Sequence, residues 1–324
     1  MRLATYEKDK VEAVGAVIDI DGSDAMVDLA AAEKALARAE KRDARPIFGD
    51  MLALLGAGNG GRAAAKRAVK AAVERAKGRI DGRTILPLKA VKLRAPVPRP
   101  HKVLCVAGNY QDHIEEGGGK MQVQDKETPR IFMKPPSSTV VGPGDRILVP
   151  PVARSVDWEG ELAVVIGRRA KGVKKKEALG YVAGYTVMND VSERKLKIKK
   201  RTENRPQDSW FDWLNGKWLD TSAPQGPWIV TSDEIKDPQT LDISTFINGD
   251  RKQHNNTQQM LCPVAAVIEY ISTIVTLEPG DLISTGTISG VGATTGSFLK
   301  AGDTVRIEIS GIGALTNKVA KSAR

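Results

Sequence analysis

Asp157-Trp158-Glu159-Gly160-Glu161-Leu162-Ala163-Val164-Val165-Ile166-Gly167 sets two carboxylates two residues apart at the start of an apolar, valine-rich run. Successive strand residues point to opposite faces, so an extended backbone turns Glu159 and Glu161 to the same side. Leu162 to Ile166 carries no polar residue, the pattern of a strand covered on both faces. The stretch therefore predicts a sheet strand entered from one end by a pair of like charges. Charges so placed raise each other's pKa unless something compensates them. A hard divalent cation such as Mg²⁺ is one answer. Ordinary charge on a solvated strand edge is the other.

The 324 residues, 41% hydrophobic and 27% charged, can bury a substantial core and have the length of one large and one small domain. No apolar stretch approaches the ~20 residues of a bilayer span, so no membrane partner is expected. Met1-Arg2-Leu3-Ala4-Thr5-Tyr6-Glu7-Lys8 has no signal-peptide core. Cys105 and Cys262 make no disulfide framework and no zinc motif, which places the chain in a reducing cytoplasm. Net charge is +10. The excess lies in Gly61 to Lys77, in Lys171 to Lys176 and in Arg194 to Arg205. No RNP, zinc-finger or helix-turn-helix signature accompanies it, so attraction of a small acidic substrate is expected and nucleic acid is not.

Residues 1–97 read as a small α/β domain. Val14–Asp19 and Ala25–Leu29 form a hairpin around Asp21-Gly22-Ser23-Asp24, followed by helices over 30–42, 47–55 and 61–77. Pro96, Pro98 and Pro100 mark a linker. Residues 98–324 change character. Short β-type runs at 103–107, 130–134, 146–149, 161–166, 181–188, 282–285 and 304–309 alternate with Gly and Pro turns, and one helix covers 263–276. The whole predicts an α+β protein with a strand-dominated roll or sandwich. No phosphate-loop motif follows a strand, so no nucleotide cofactor is expected.

Asp190 ends an apolar strand as a third carboxylate, open to two readings: metal ligand, or cap of a following helix. Three carboxylates would suit Mg²⁺ or Mn²⁺. His113, in Gly108-Asn109-Tyr110-Gln111-Asp112-His113-Ile114-Glu115-Glu116, has Glu116 one helical turn away. A His beside a carboxylate is a natural general base, or else an ordinary surface pair. Gly117-Gly118-Gly119 would let that turn move. Lys217 carries no signal alone. Trp210, Trp213, Trp218 and Trp228 form either a pocket wall or core.

Taken in order, these pieces resemble the fumarylacetoacetate hydrolase family over residues 102–320. The likeness runs through Gly108 to His113, Phe132 to Ser138, Asp157 to Leu162, Gly184 to Arg194, Gly216-Lys217, Pro227-Trp228, Asn248-Gly249, Glu278 to Asp281 and Ser284 to Gly290. The front part is similar to the N-terminal domain of longer bacterial members. The resemblance implies a mixed-β roll working as a homodimer, with Mg²⁺ (or Mn²⁺ or Ca²⁺) on Glu159, Glu161 and Asp190. It implies a His113–Glu116 dyad, an active-site Lys217, and substrate contacts from Arg194, Thr287, Tyr110 and Lys197. Lys197 departs from the family's usual Gln, and Ile288 from its usual Pro. The implied reaction is metal-dependent hydrolysis of a C–C bond in a 2,4-dioxo acid. Oxaloacetate decarboxylation, hydroxymuconate-type isomerisation and dehydration of 3-deoxy-2-oxo sugar acids are the alternatives on the same site.

Overall fold

The strand Gly160–Ile166 is buried at every residue, and it pairs antiparallel with Val182–Asn189 on one side and Leu282–Ser284 on the other. A computed structural model describes residues 1–124 and 126–322. The apolar run is explained by two cores, one on each face of this strand. Leu162, Val164 and Ile166 enter the first, and Ala163 and Val165 enter the second.

A twelve-stranded mixed sheet surrounds it. Beyond Val182–Asn189 come Ala223–Thr231, Arg2–Lys8, Val11–Ile20, Ser23–Asp28 and Ile85–Pro87. Beyond Leu282–Ser284 come Val103–Ala107, paired in parallel, and Arg130–Lys134 at the far edge. A five-stranded sheet of Asp250–Asn256, Asp242–Ile247, Thr304–Ile309, Gly313–Lys321 and Arg146–Val149 contributes Ile243, Ile307 and Val319 to the first core. The helix Val264–Ile274 adds Val267, Ile268 and Ile271 to it. Helices Leu29–Ala39, Met51–Gly56 and Gly58–Arg75 cover the other face of the large sheet. The first begins where Asp28 accepts a hydrogen bond from Ala31 N at 2.9 Å, and the second where Asp50 accepts from Ala53 N at 2.7 Å. The protein is thus α+β, with two packed sheets and a helical layer.

The second helix starts at Met51 rather than at 47, because Pro46–Phe48 forms a separate 3₁₀ turn and Asp50 supplies the cap. The strands Arg2–Lys8, Ala223–Thr231, Asp242–Ile247 and Asp250–Asn256 lie outside the predicted set. Arg2 and Leu3 pair with Val230 and Ile229, and Leu3 and Val14 share a core with Ala163 and Leu282. The boundary at 97/98 divides the chain without dividing the sheet. Among the described residues, no helix is long and apolar enough to cross a membrane.

Candidate active site

Glu161 lies opposite Met188, and Gly160 opposite Asn189, so the turn holding Glu159 and the turn holding Asp190 meet at adjacent strand ends. Two bonds lock them: Glu159 N donates to Asn189 Oδ1 at 3.0 Å, and Asp190 N donates to Glu159 O at 3.0 Å. Gly160, between the glutamates, lies against the second sheet. A Cβ there would collide with Thr245 Oγ1. After Asp190 the chain enters the short strand Ser192–Glu193, so Asp190 caps no helix. Glu159, Glu161 and Asp190 are all buried and each offers an oxygen within 4.8 Å of the others'.

Three cations surround this group. Lys217 Nζ donates to Glu159 Oε2 at 2.7 Å and to Asp190 Oδ2 at 2.8 Å. Lys134 Nζ donates to Asp190 Oδ1 at 2.6 Å and to Val191 O at 2.8 Å. Arg194 bonds Asp157 Oδ2 through Nε at 2.8 Å and lies 2.5 Å from Glu159 Oε1 through its terminal nitrogen. Asp157 also accepts from the backbone N–H of Trp158, Gly292 and Ala293. Phe132 and Trp213 stack their rings 5.0 and 5.5 Å from Lys217 Nζ, which completes its shell.

The electrostatics follow from this geometry. Burial pushes Glu159 up, but Arg194, Lys217 and His113 outweigh it and hold the carboxyl well below the ordinary range. Burial draws Lys217 down, but Asp190 and Glu159 hold it above the usual lysine range, so it is charged. Glu161 has no cation of its own. Burial, Asp190 and Glu159 all push it well up, against a hydrogen bond from Ser284 and the more distant charge of Lys217. Ser284 Oγ and Gly286 N both donate to its Oε2, at 2.6 and 2.7 Å, leaving Oε1 without a protein donor among the described residues. Four carboxylates (with Asp157) face three cations among the described residues, and Glu161, pushed well up, is the one disposed to hold a proton instead. A hard dication fits this donor set: carboxylate oxygens only, one of them unclaimed, at a place where the ion can displace that proton.

The dyad closes the site from the other side. His113 and Glu116 lie on the helix Gln111–Glu116, with Nδ1 of His113 2.7 Å from Glu116 Oε1. Glu116 Oε2 is fixed by Gly290 N at 2.8 Å. Asp112 accepts from Asn255 Nδ2 at 2.6 Å and from Ser289 Oγ at 2.7 Å, which docks the helix on the five-stranded sheet and on the loop after Leu282–Ser284. Thr287 Oγ1 donates to Gly160 O and accepts from Gln253 Nε2.

His113, Glu159, Glu161, Asp190, Arg194, Lys217 and Thr287 line one cavity of about 100 Å³, with Phe132 and Trp213 in its wall. Three expected residues, Glu116, Lys197 and Tyr110, are not among them, and Glu116 reaches the cavity only through His113. Lys197 is exposed to solvent, and Tyr110 is fully buried with an unpartnered hydroxyl. Trp210 and Trp218 are exposed, so of the tryptophans Trp213 alone is in the wall. Sequence reasoning missed Lys134, Asp157 as the anchor of Arg194, and Gln253. The alternation of Arg130-Ile131-Phe132-Met133-Lys134 puts Lys134 on the same face as Phe132, and that was the available signal.

A family model described as the C-terminal region of fumarylacetoacetate hydrolase matches residues 102–320. A mitochondrial oxaloacetate tautomerase of Xenopus laevis is 43% identical over 253 residues, covering 77% of this chain and 75% of that one. One from Rattus norvegicus is 44% identical over 237 residues, covering 72% and 71%. Among solved structures, a 5-carboxymethyl-2-hydroxymuconate delta-isomerase from Mycobacterium smegmatis superposes with a TM-score of 0.71 at 30% identity, over 100% of both chains. A maleylpyruvate hydrolase from Sphingobium sp. SYK-6, solved with manganese(II) and pyruvate, gives a TM-score of 0.71 at 28% identity, also over 100% of both. With this match spanning the whole of the site, the chain belongs to the fumarylacetoacetate hydrolase family.

Proposed function

We propose that this protein interconverts the keto and enol forms of a short 2-oxo dicarboxylic acid of the oxaloacetate type. The observation that carries the reading is the dyad: His113, held through Nδ1 by an anchored Glu116, opens on the same small cavity as the carboxylate triad and Lys217. With Nδ1 engaged, Nε2 is the atom free to take a proton from C3 of the acid and return one. A divalent cation on Glu159, Glu161 and Asp190 would supply Lewis-acid polarisation of the 2-oxo group. Arg194 and Lys217 bring positive charge to the 1-carboxylate, and Thr287 offers a hydroxyl at the cavity wall. A cavity of about 100 Å³ suits a short acid.

The sequence placed C–C hydrolysis first and isomerisation among the alternatives. The names of the relatives at 43–44% identity support the reverse order. Hydrolysis stays as the second reading because the manganese- and pyruvate-bound maleylpyruvate hydrolase shares this fold. There the same Nε2 would activate water rather than move a carbon-bound proton. The metal is proposed as Mg²⁺ or Mn²⁺. All site residues come from 98–324, so residues 1–97 are proposed as a small N-terminal α/β domain that shares the large sheet and has no direct part in the chemistry. A homodimer fits the exposed Trp210, Phe211 and Trp218, and a reducing compartment fits the buried Cys105 and Cys262.

Loss of enol absorbance from oxaloacetate, followed with Mg²⁺ or Mn²⁺ alongside pyruvate and CO₂ release, tests the assignment. The expected result is accelerated loss that stops with EDTA and in His113→Ala, with no fragment released. Pyruvate appearing from acylpyruvates in step with absorbance loss, with oxaloacetate untouched, would transfer the assignment to hydrolysis.

A further inference from the structure

Thr287 lines the catalytic cavity, and the backbone of one glycine fixes the direction of each hydrogen bond its hydroxyl makes. Gly160 N can only donate, and it bonds Gln253 Oε1 at 3.0 Å. The other amide atom of Gln253 is therefore the nitrogen. Its two hydrogens go to Ile288 O at 2.7 Å and to Thr287 Oγ1 at 2.9 Å. Gly160 O can only accept, and it takes the Thr287 hydroxyl hydrogen at 3.1 Å. A closed ring thus runs from Gly160 N through Gln253 and Thr287 back to Gly160 O. Gln253 is buried, with 1% of its surface exposed, so no water competes for these bonds. The loop cannot turn Thr287 away, because Thr285 Oγ1 donates to Leu162 O at 2.8 Å and Gly286 N to Glu161 Oε2 at 2.7 Å.

A hydroxyl has one hydrogen and two lone pairs. In Thr287 the hydrogen is committed to Gly160 O and one lone pair to Gln253. One lone pair remains, so toward a ligand Thr287 accepts and does not donate. A group facing it must bring its own hydrogen. A keto or carboxylate oxygen in that place would set lone pair against lone pair, at the cost of a buried unmade hydrogen bond.

We infer that Gln253 is a positioning residue that makes Thr287 a hydrogen-bond acceptor, and that this acceptor takes the C2 hydroxyl of the enol form. The enol carries a hydrogen on that oxygen and the keto form does not, so the ring discriminates between the two tautomers. The inference rests on the proposed function for the enol as ligand. It gives Gln253, which reaches in from the five-stranded sheet, a part in that choice without contact with the ligand.

The test measures dissociation constants, by calorimetry in Mg²⁺, for pyruvate, whose C2 oxygen has no hydrogen, and for the tighter-binding enantiomer of lactate, whose C2 oxygen has one. The readout is the ratio of the two constants, in which a general loss of metal or anion affinity cancels. Thr287→Val removes the acceptor and should shift the ratio toward pyruvate by about three- to tenfold, the worth of one neutral hydrogen bond. Thr287→Ser should keep the wild-type ratio. Gln253→Leu frees the Thr287 hydroxyl to turn its hydrogen to the ligand, and should shift the ratio the same way with Thr287 in place. Gln253→Glu should keep it, because a carboxylate also claims the Thr287 hydrogen. An unchanged ratio in Thr287→Val overturns the acceptor, and a Gln253→Leu protein that weakens both ligands alike overturns the positioning role. Should Gln253→Leu fail to fold, Thr287→Val and Thr287→Ser decide. Failure of the proposed function reads out differently: the ratios shift as expected, yet the wild type does not consume oxaloacetate enol.

Discussion

Replacing Lys217 by Met probes the charge balance of the site directly. The ammonium lies 2.7 Å from Glu159 and 2.8 Å from Asp190, with 3% of its side chain exposed. At an effective dielectric of about 20, each contact is worth about 6 kcal/mol of attraction before solvation is counted. Desolvation of the ammonium takes back several kcal/mol of that. The variant keeps both carboxylates buried while removing the charge they face, so a net loss of about 3–5 kcal/mol is expected. At about 2 °C per kcal/mol for a chain of this size, the melting temperature in EDTA should fall by about 6–10 °C. A dication should restore much of this, because it supplies positive charge to the same oxygens. The pH dependence has a fixed sign. Against burial, Arg194 and Lys217 depress Glu159, and a depressed carboxyl stabilises the fold above the ordinary carboxylate range and loses that as pH falls. The deficit of the variant is therefore largest near neutrality and shrinks on acidification. Thermal melts in EDTA and in Mg²⁺, at neutral and acidic pH, measure all three effects. A variant as stable as the wild type in EDTA would refute the charge balance.

Two further outcomes follow from the same geometry. Because burial, Asp190 and Glu159 raise Glu161, binding of a dication should displace a proton, and apparent affinity should tighten by up to about tenfold per pH unit below the raised value. Calorimetry in two buffers of different ionisation enthalpy counts that proton, and a count of zero contradicts the raised pKa of Glu161. Glu116→Gln removes the charge that holds Nδ1 and should lower kcat by about 10²-fold with little change in metal affinity. A loss confined to KM would mean that Glu116 places the helix rather than the imidazole.

The sequence carried the parts of the site that lie close together along the chain. Glu159 and Glu161 lie two residues apart where an apolar strand begins, and His113 with Glu116 follows from one helical turn. Lys134 did not show itself, because a lysine buried in a sheet is recognisable only through its partner, and Asp190 is 56 residues away. Gln253 was hidden for the same reason: it reaches Gly160, Thr287 and Ile288 from another sheet. Asp250–Asn256 gave no strand signal at all. Asp-Arg-Lys-Gln-His-Asn-Asn has no apolar alternation, and only pairing with Asp242–Ile247 makes it extended. Conversely, Lys197 attracted notice only as a departure from the family's usual Gln, and the chain after Glu193 leaves the sheet and carries Lys197 into solvent.

The join between Arg2-Leu3 and Ile229-Val230 has a consequence for anyone who shortens this chain. Cutting at residue 97 would strip the first strand from Ala223–Thr231 and bare a row of unpaired amides beside Ile229 and Val230. A strand left open in that way is a template for another chain. The fragment would hold every proposed catalytic residue and still be driven to stack edge to edge. The first strand is thus what keeps Ala223–Thr231 from being an open edge.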